Sequence, residues 1–218
     1  MPLSGKGMLI TLMDADPADE QDFNRWYDKE HIVERVGIPG FLEARRYVAV
    51  AAEPKYLNTY TTETVDVLRS EDYLKALRTP TDWTRRTMAK FRNFTRAVVH
   101  VRSSLGRGRG GVIAFSRIRP RSEADAEFGN AIAGGIRAVL DAAISAHSLQ
   151  SDPELSKTPD APGPQPGLSD WYVIVEGTDN TIRTLAEPLF GRAAKLPGAE
   201  VISFGTYRLL WDLAKSEL

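Results

Sequence analysis

Phe41-Leu42-Glu43-Ala44-Arg45-Arg46-Tyr47-Val48-Ala49-Val50-Ala51, then Ala52-Glu53-Pro54-Lys55, then Tyr56-Leu57-Asn58-Thr59-Tyr60, is the stretch on which the fold turns. Aromatic and β-branched residues dominate residues 41–51 and 56–67, and the proline-containing segment between them reads as a turn. So short a turn joins antiparallel neighbours, because parallel strands need a crossover of a dozen or more residues. The hairpin therefore argues against one doubly wound α/β sheet. Outward from it, Met8-Leu9-Ile10-Thr11-Leu12-Met13 predicts a buried strand, and residues 17–36 predict a helix stopped by Gly37-Ile38-Pro39-Gly40. Two short helices over residues 73–77 and 83–91, split by Pro80, and a strand over 95–101 complete the unit.

The order β-α-β-β-α-β is the ferredoxin-like plan, and it recurs. After the glycine-rich stretch Gly106-Arg107-Gly108-Arg109-Gly110-Gly111, read as a hinge, come a strand (112–118), a helix (122–143), a strand (144–149), a loop with five prolines (152–167), a strand (171–176), a helix (178–195) and a last strand (200–209). The expected fold is α+β: two tandem ferredoxin-like units, residues 1–105 carrying the site and residues 106–218 a degenerate second copy. Each open sheet needs a cover for its free face, supplied by the other half or by another chain.

The 218 residues carry 28 Lys+Arg against 29 Asp+Glu, which gives no support to a polyanion-binding surface, so no nucleic-acid partner is expected. With no cysteine, disulfides, thiolate metal sites and cysteine nucleophiles are excluded. No apolar run is long enough for a membrane span, and a cytoplasmic protein with no membrane partner is the expectation. Phosphate-loop, nucleophile-elbow and His-Glu-Xaa-Xaa-His motifs are absent, no metal site is expected, and Arg107 and Arg109 read as a solvated linker.

The informative helix is Phe23-Asn24-Arg25-Trp26-Tyr27-Asp28-Lys29-Glu30-His31-Ile32-Val33-Glu34-Arg35. At about 100° per residue, Phe23, Trp26, Tyr27 and Val33 share one side, and Glu30 and Glu34 fall within about 20° of its centre. Carboxylates there require partners. One reading is a cleft in which His31 carries protons and Glu30 or Glu34 orients it. The other is ion pairing of the two acids with Arg35, Arg45 or Arg46, with His31 as a helix-end cation. On the hairpin, Phe41, Glu43, Arg45 and Tyr47 share one face, and Leu42, Ala44, Arg46 and Val48 the more apolar one, which makes Arg46 the inward charge. Tyr56, Asn58 and Tyr60 share a face of the next strand. His100 and His147 carry no signature. In the second half Phe128, Ile132, Gly135, Val139 and Ala143 form a helix face with no ionisable group, so one site per chain is expected.

The motifs Trp26-Tyr27-Asp28-Lys29-Glu30-His31, Glu34-Arg35, Pro39-Gly40-Phe41, Ala44-Arg45-Arg46-Tyr47, Lys55-Tyr56-Leu57, Pro80-Thr81-Asp82-Trp83-Thr84 and Phe91-Arg92-Asn93, in this order, resemble the EthD-like branch of the dimeric α+β barrel superfamily across roughly residues 8–102. The resemblance implies ferredoxin-like sheets packed face to face into a barrel, often in a homodimer. The family's first-helix histidine matches His31. Members include cofactor-free isomerases, lyases and cyclases, cofactor-independent monooxygenases and haem enzymes, so the fold does not name a reaction. Doubling of the unit leaves open whether the barrel closes within one chain or between two.

The leading expectation is a cofactor-independent lyase or isomerase acting on a small, largely apolar, oxygenated compound, aromatic or lactone-like. His31 shuttles a proton, Glu30 or Glu34 sets its charge, Tyr27 and Tyr60 bind oxygen, Arg46 steadies negative charge, and Phe23, Trp26 and Trp83 form the apolar wall. The alternatives are oxygen chemistry or haem chemistry with His31 as axial ligand, and a non-catalytic binding or assembly module. A hollow of about 300 Å³ touching His31 separates the catalytic readings from the last.

Overall fold

A computed structural model describes residues 3–121, 126–157 and 169–218. In chain order the elements are β1 (Gly7–Asp14), α1 (Glu20–Trp26), a π-helical turn (Tyr27–His31), α2 (Ile32–Gly37), β2 (Phe41–Ala51), β3 (Tyr56–Thr62), α3 (Glu71–Arg78), α4 (Asp82–Met88), β4 (Arg92–Gly106), β5 (Val112–Pro120), α5 (Ala126–Val139), β6 (Ser145–Ser151), α6 (Pro153–Ser156), β7 (Trp171–Gly177), α7 (Thr181–Phe190) and β8 (Ala199–Ala214). The expected helix start at Ser122 and most of the five-proline loop lie outside the described residues. No helix among the described residues is long and apolar enough to cross a membrane.

The strands form one closed antiparallel barrel in the order β1-β3-β2-β8-β5-β7-β6-β4. The first half contributes the run β4-β1-β3-β2 and the second the run β8-β5-β7-β6, so the cover each sheet needs is the other half of the same chain. Two seams close the ring, β2 on β8 and β4 on β6. β4 and β8 run well past the expected residues 95–101 and 200–209, and their extensions carry the seams: residues 103–106 pair with β6 and residues 211–214 with β2. The hairpin forms with β2 antiparallel to β3, but pairing ends at Thr62, and residues 65–69 turn into a short 3₁₀ helix.

Three apolar layers result. Met8, Ile10, Tyr47, Leu57, Val99, Ile113, Phe115, Leu149 and Tyr207 fill the bore. Outside it, one helical layer covers the first half and another the second. In the second, α5 crosses α7 at Gly135, where a Cβ would stand 2.6 Å from the Phe190 ring. Phe128, Ile132 and Val139 bury that helix face as expected, joined by Ile136, and the helix ends at Val139, short of Ala143.

The bore also holds charge. A register shift after Phe41 turns Phe41 to the helix side, while Glu43, Arg45 and Tyr47 face inward, a face the alternation left as the less apolar, half-exposed one. Closure of the sheet on itself buries both faces. Arg45 bonds Glu43 at 2.9 Å and Glu176 at 3.0 Å. His147, which looked isolated, sits between Glu176 (Nε2, 3.1 Å) and Ser104 (Nδ1, 3.1 Å). Arg109 is no solvated linker, since it pairs with Glu43 and with Asp212, and the Gly110 N–H donates to Glu176 at 2.8 Å. Burial raises the Glu176 carboxyl, but the hydrogen bond from His147, the Arg45 charge and the Gly110 N–H hold it below its ordinary value.

Candidate active site

Helices α1 and α2 and the turn between them form one rod against the outer face of β1, β3 and β2. Within the turn the Ile32 N–H bonds to the Tyr27 carbonyl, five residues back. This π-turn inserts one residue into the helical phase, a device found mostly at functional positions. Beyond it the buried positions are Ile32, Arg35 and Val36, and Val33 is 42% exposed. The uniform wheel placed Glu30 and Glu34 inward and Val33 with the core; the shifted phase turns Val33 outward, leaves Glu30 and Glu34 half-buried at the edge beside His31, and buries Arg35. Glu30 instead accepts hydrogen bonds from Thr81 (2.6 Å) and Thr84 (3.0 Å), and Glu34 pairs with Arg35 at 3.8 Å. Neither has a hydrogen bond to His31, so neither orients it. Trp83 lies at the periphery, donating to Asp22 at 3.2 Å, and is not part of the wall around His31.

His31 stacks on Trp26 with ring centroids 4.2 Å apart and meets the edges of Tyr27 at 5.3 Å and Tyr60 at 6.3 Å. Trp26 is fixed by its Nε1–H, which donates to Thr84 at 3.0 Å, and Phe23 lies edge-on to Tyr27 at 5.0 Å. The Tyr27 hydroxyl accepts from Asn58 Nδ2 at 3.2 Å and faces Met13 Sδ at 3.4 Å. Arg46 comes through from β2 as the alternation predicts. Its guanidinium lies 4.4 Å from the Tyr27 ring centroid and bonds Asp28 at 2.6 Å and Asn24 at 2.7 Å. Trp211, from the far end of the chain, donates to the same Asp28 oxygen at 2.8 Å. Asp28 falls inside the motif at residues 26–31 and Asn24 one turn before it, but no local motif marks Trp211; the β2–β8 pairing, Arg46 opposite Trp211, brings it to them.

Burial, reinforced by the charges of Arg35 and Arg46, holds the His31 imidazole well below its usual value near 6.5, so it is neutral at physiological pH. Burial pushes the Tyr27 hydroxyl up to about 12 despite the Arg46 charge, and raises Tyr60 well above 10. In this patch His31 Nδ1, Asn58 Oδ1, the Tyr60 hydroxyl, Arg35 Nη1 and Arg46 Nε are all buried without a hydrogen-bond partner. Native structures satisfy roughly 90% or more of such groups. Five such atoms lie in this patch.

None of the four clefts described on the surface is lined by His31, so the hollow that the catalytic readings expect beside it is not seen among them. A broad cleft of about 680 Å³ abuts it on the far side of Arg46, lined by Asn24, Asp28, Tyr56 and Trp211.

The depressed His31 value has a sign that can be checked. The unfolded chain takes up the proton near pH 6.5 and the folded chain only below that. Stability therefore falls as pH drops from about 6.5 toward the folded value. In paired urea titrations at pH 7 and pH 5, His31→Gln is expected to lose less stability than the parent; equal losses would contradict the buried neutral imidazole.

No family model and no curated protein matches the sequence. Solved structures match over nearly the whole length. An anthrone oxidase-like protein superposes with a TM-score of 0.58 at 10% identity, covering 97% of this chain and 94% of that one. A proposed monooxygenase from Fusobacterium nucleatum subsp. nucleatum gives 0.55 at 9% identity, covering 98% and 96%. A DyP-type peroxidase from Mycobacterium smegmatis gives 0.58 at 10%, covering 98% and 94%. The fold is the dimeric α+β barrel. In this dimeric α+β barrel the ring closes within one chain, which answers the question the sequence left open. The similar structures carry oxidative activities in their names, a proposed chlorite dismutase among them, and this overturns the expected lyase or isomerase.

Haem, which the superfamily holds in some members, finds no free axial nitrogen on His147, and His100 is turned to a carboxylate, with Nε2 at 3.3 Å from Asp152. His31 is half-buried, stacked on Trp26 and edge-on to Tyr27 and Tyr60, and lines none of the four clefts. No group of three His, Cys, Asp or Glu among the described residues is placed to hold a metal ion.

Proposed function

We propose that the niche under the π-turn is the centre of a cofactor-independent oxidase or monooxygenase acting on a small phenolic or anthrone-type aromatic. The observation that carries this reading is the neutral His31 imidazole, its Nδ1 unpartnered among unpartnered Tyr60, Asn58 and Arg35 atoms. A neutral imidazole beside two guanidinium groups is arranged to take a proton from an acidic C–H or O–H and to leave the resulting anion stabilised. The electron-rich anion then reduces dioxygen. For an anthrone-type methylene, CH₂ and O₂ give C=O and H₂O: one oxygen atom enters the ring carbon, the other leaves as water with both hydrogens. Tyr60 and Asn58 hold the substrate oxygen, and Trp26 and Phe23 are the apolar wall. The anthrone oxidase-like and monooxygenase neighbours support the reaction class, and Arg46 with its Asp28–Trp211 latch is the route from the broad cleft.

The same reading takes residues 1–105 and 106–218 as two ferredoxin-like units of the EthD-like branch, with the site in the first and a small-molecule substrate. The dry face of α5 supports a single site. A homodimer would form through the outer faces, since both seams are already closed.

Oxygen-electrode measurements with anthrone, run under isotopically labelled dioxygen, test the reading. One oxygen consumed per molecule and one labelled atom in the quinone are expected. Uptake no faster than without protein overturns it.

A further inference from the structure

The two seams occupy equivalent places in the ring, and each carries a cleft. The cleft beside Arg46 lies over β2 and β8; its counterpart, of about 300 Å³, lies over β4 and β6 beneath α5. We propose that this second cleft is a binding site for a small planar aromatic carboxylate, independent of the His31 niche.

Its volume is that of a small-molecule site. One wall is aromatic: Trp171 stands edge-on to Phe128 at 5.5 Å. Position 129 beside that wall is glycine, and an added Cβ there would meet nothing within 4 Å, so the space extends over α5. Glycine inside a helix weakens it, so the gap is not there for the sake of α5. The opposite wall is polar. Arg102 is held by its Nε on Gln150 Oε1 at 2.7 Å, which fixes the direction of the guanidinium, and it has no carboxylate partner among the described residues. Asp152, the acid of the cleft, is already engaged by His100 at 3.3 Å and by the Glu154 and Leu155 N–H groups at 3.1 and 3.0 Å. A flat ring against Trp171 with a carboxylate on Arg102 satisfies each of these groups, and the planar guanidinium suits bidentate carboxylate recognition.

Calorimetric titration of the full chain with benzoate and with 2-naphthoate tests the proposal. Saturable binding is expected, weakened about tenfold or more in Arg102→Gln, the loss of a charge-assisted hydrogen bond, and abolished in Gly129→Leu, whose side chain fills the space. His31→Gln should bind as the parent does, and Gly129→Leu should keep oxygen uptake. Should Gly129→Leu not fold, Arg102→Gln and the smaller Gly129→Ala decide. Absence of saturation with both acids, or parent-like affinity in Arg102→Gln, overturns the site.

Discussion

Glutamine in place of His31 is expected to lower oxygen uptake with anthrone by about 10²–10⁴-fold, the usual contribution of a positioned acid or base. Glutamine keeps a planar polar group against Trp26 but cannot accept the proton at neutral pH. Thermal unfolding at pH 8 should stay close to the parent, because there the imidazole is neutral in both folded and unfolded chains. A rate within a few-fold of the parent, in a folded variant, would remove His31 from the reaction and with it the proposed chemistry. Burial, reinforced by Arg35 and Arg46, keeps the imidazole unprotonated, so the parent's rate should not fall as pH is lowered from 8 to 6.5.

The largest expected stability effect lies inside the barrel. Arg45→Met removes the cation shared by Glu43 and Glu176, which are 2% and 1% exposed. Breaking a buried ionic group by deleting one partner costs about 3–5 kcal/mol when the remaining charge is left unpaired; here Arg109 stays on Glu43 and His147 with the Gly110 N–H on Glu176, so a loss toward the lower end is expected. Replacing the set together, Arg45→Met with Glu43→Leu and Glu176→Leu, should recover part of that loss, since apolar packing often matches a buried ion pair. Urea unfolding of the two variants measures both. A loss under about 1 kcal/mol in Arg45→Met would show that water reaches the bore.

The architecture was legible where turn chemistry and alternation act locally. The four-residue turn with Pro54 made the hairpin antiparallel, and alternation sent Arg46 to the helix side. Of the candidate site, Tyr27, His31, Tyr60, Arg46, Trp26 and Phe23 come together as read, and Glu30, Glu34 and Trp83 do not. The two acids were misplaced by phase: a π-turn has no residue signature, and one inserted residue swings everything beyond Tyr27 by about 100°. The ionic cluster in the bore was hidden for another reason. Alternation separates two faces but cannot say that both are buried, and Arg45, His147 and Glu176 meet only because the sheet closes on itself.

Pairing of β2 with β8 has a consequence for how the molecule is made. During synthesis β2 emerges early with one edge unmatched, and its partner arrives only after some 150 further residues, so the ring stays an open ribbon until residues 199–214 leave the ribosome. Contacts so distant along the chain form slowly, and an unmatched strand edge is a template for other chains in the interval. The charged residues Glu43 and Arg45 on that waiting strand then act as gatekeepers against aggregation before they become part of the interior.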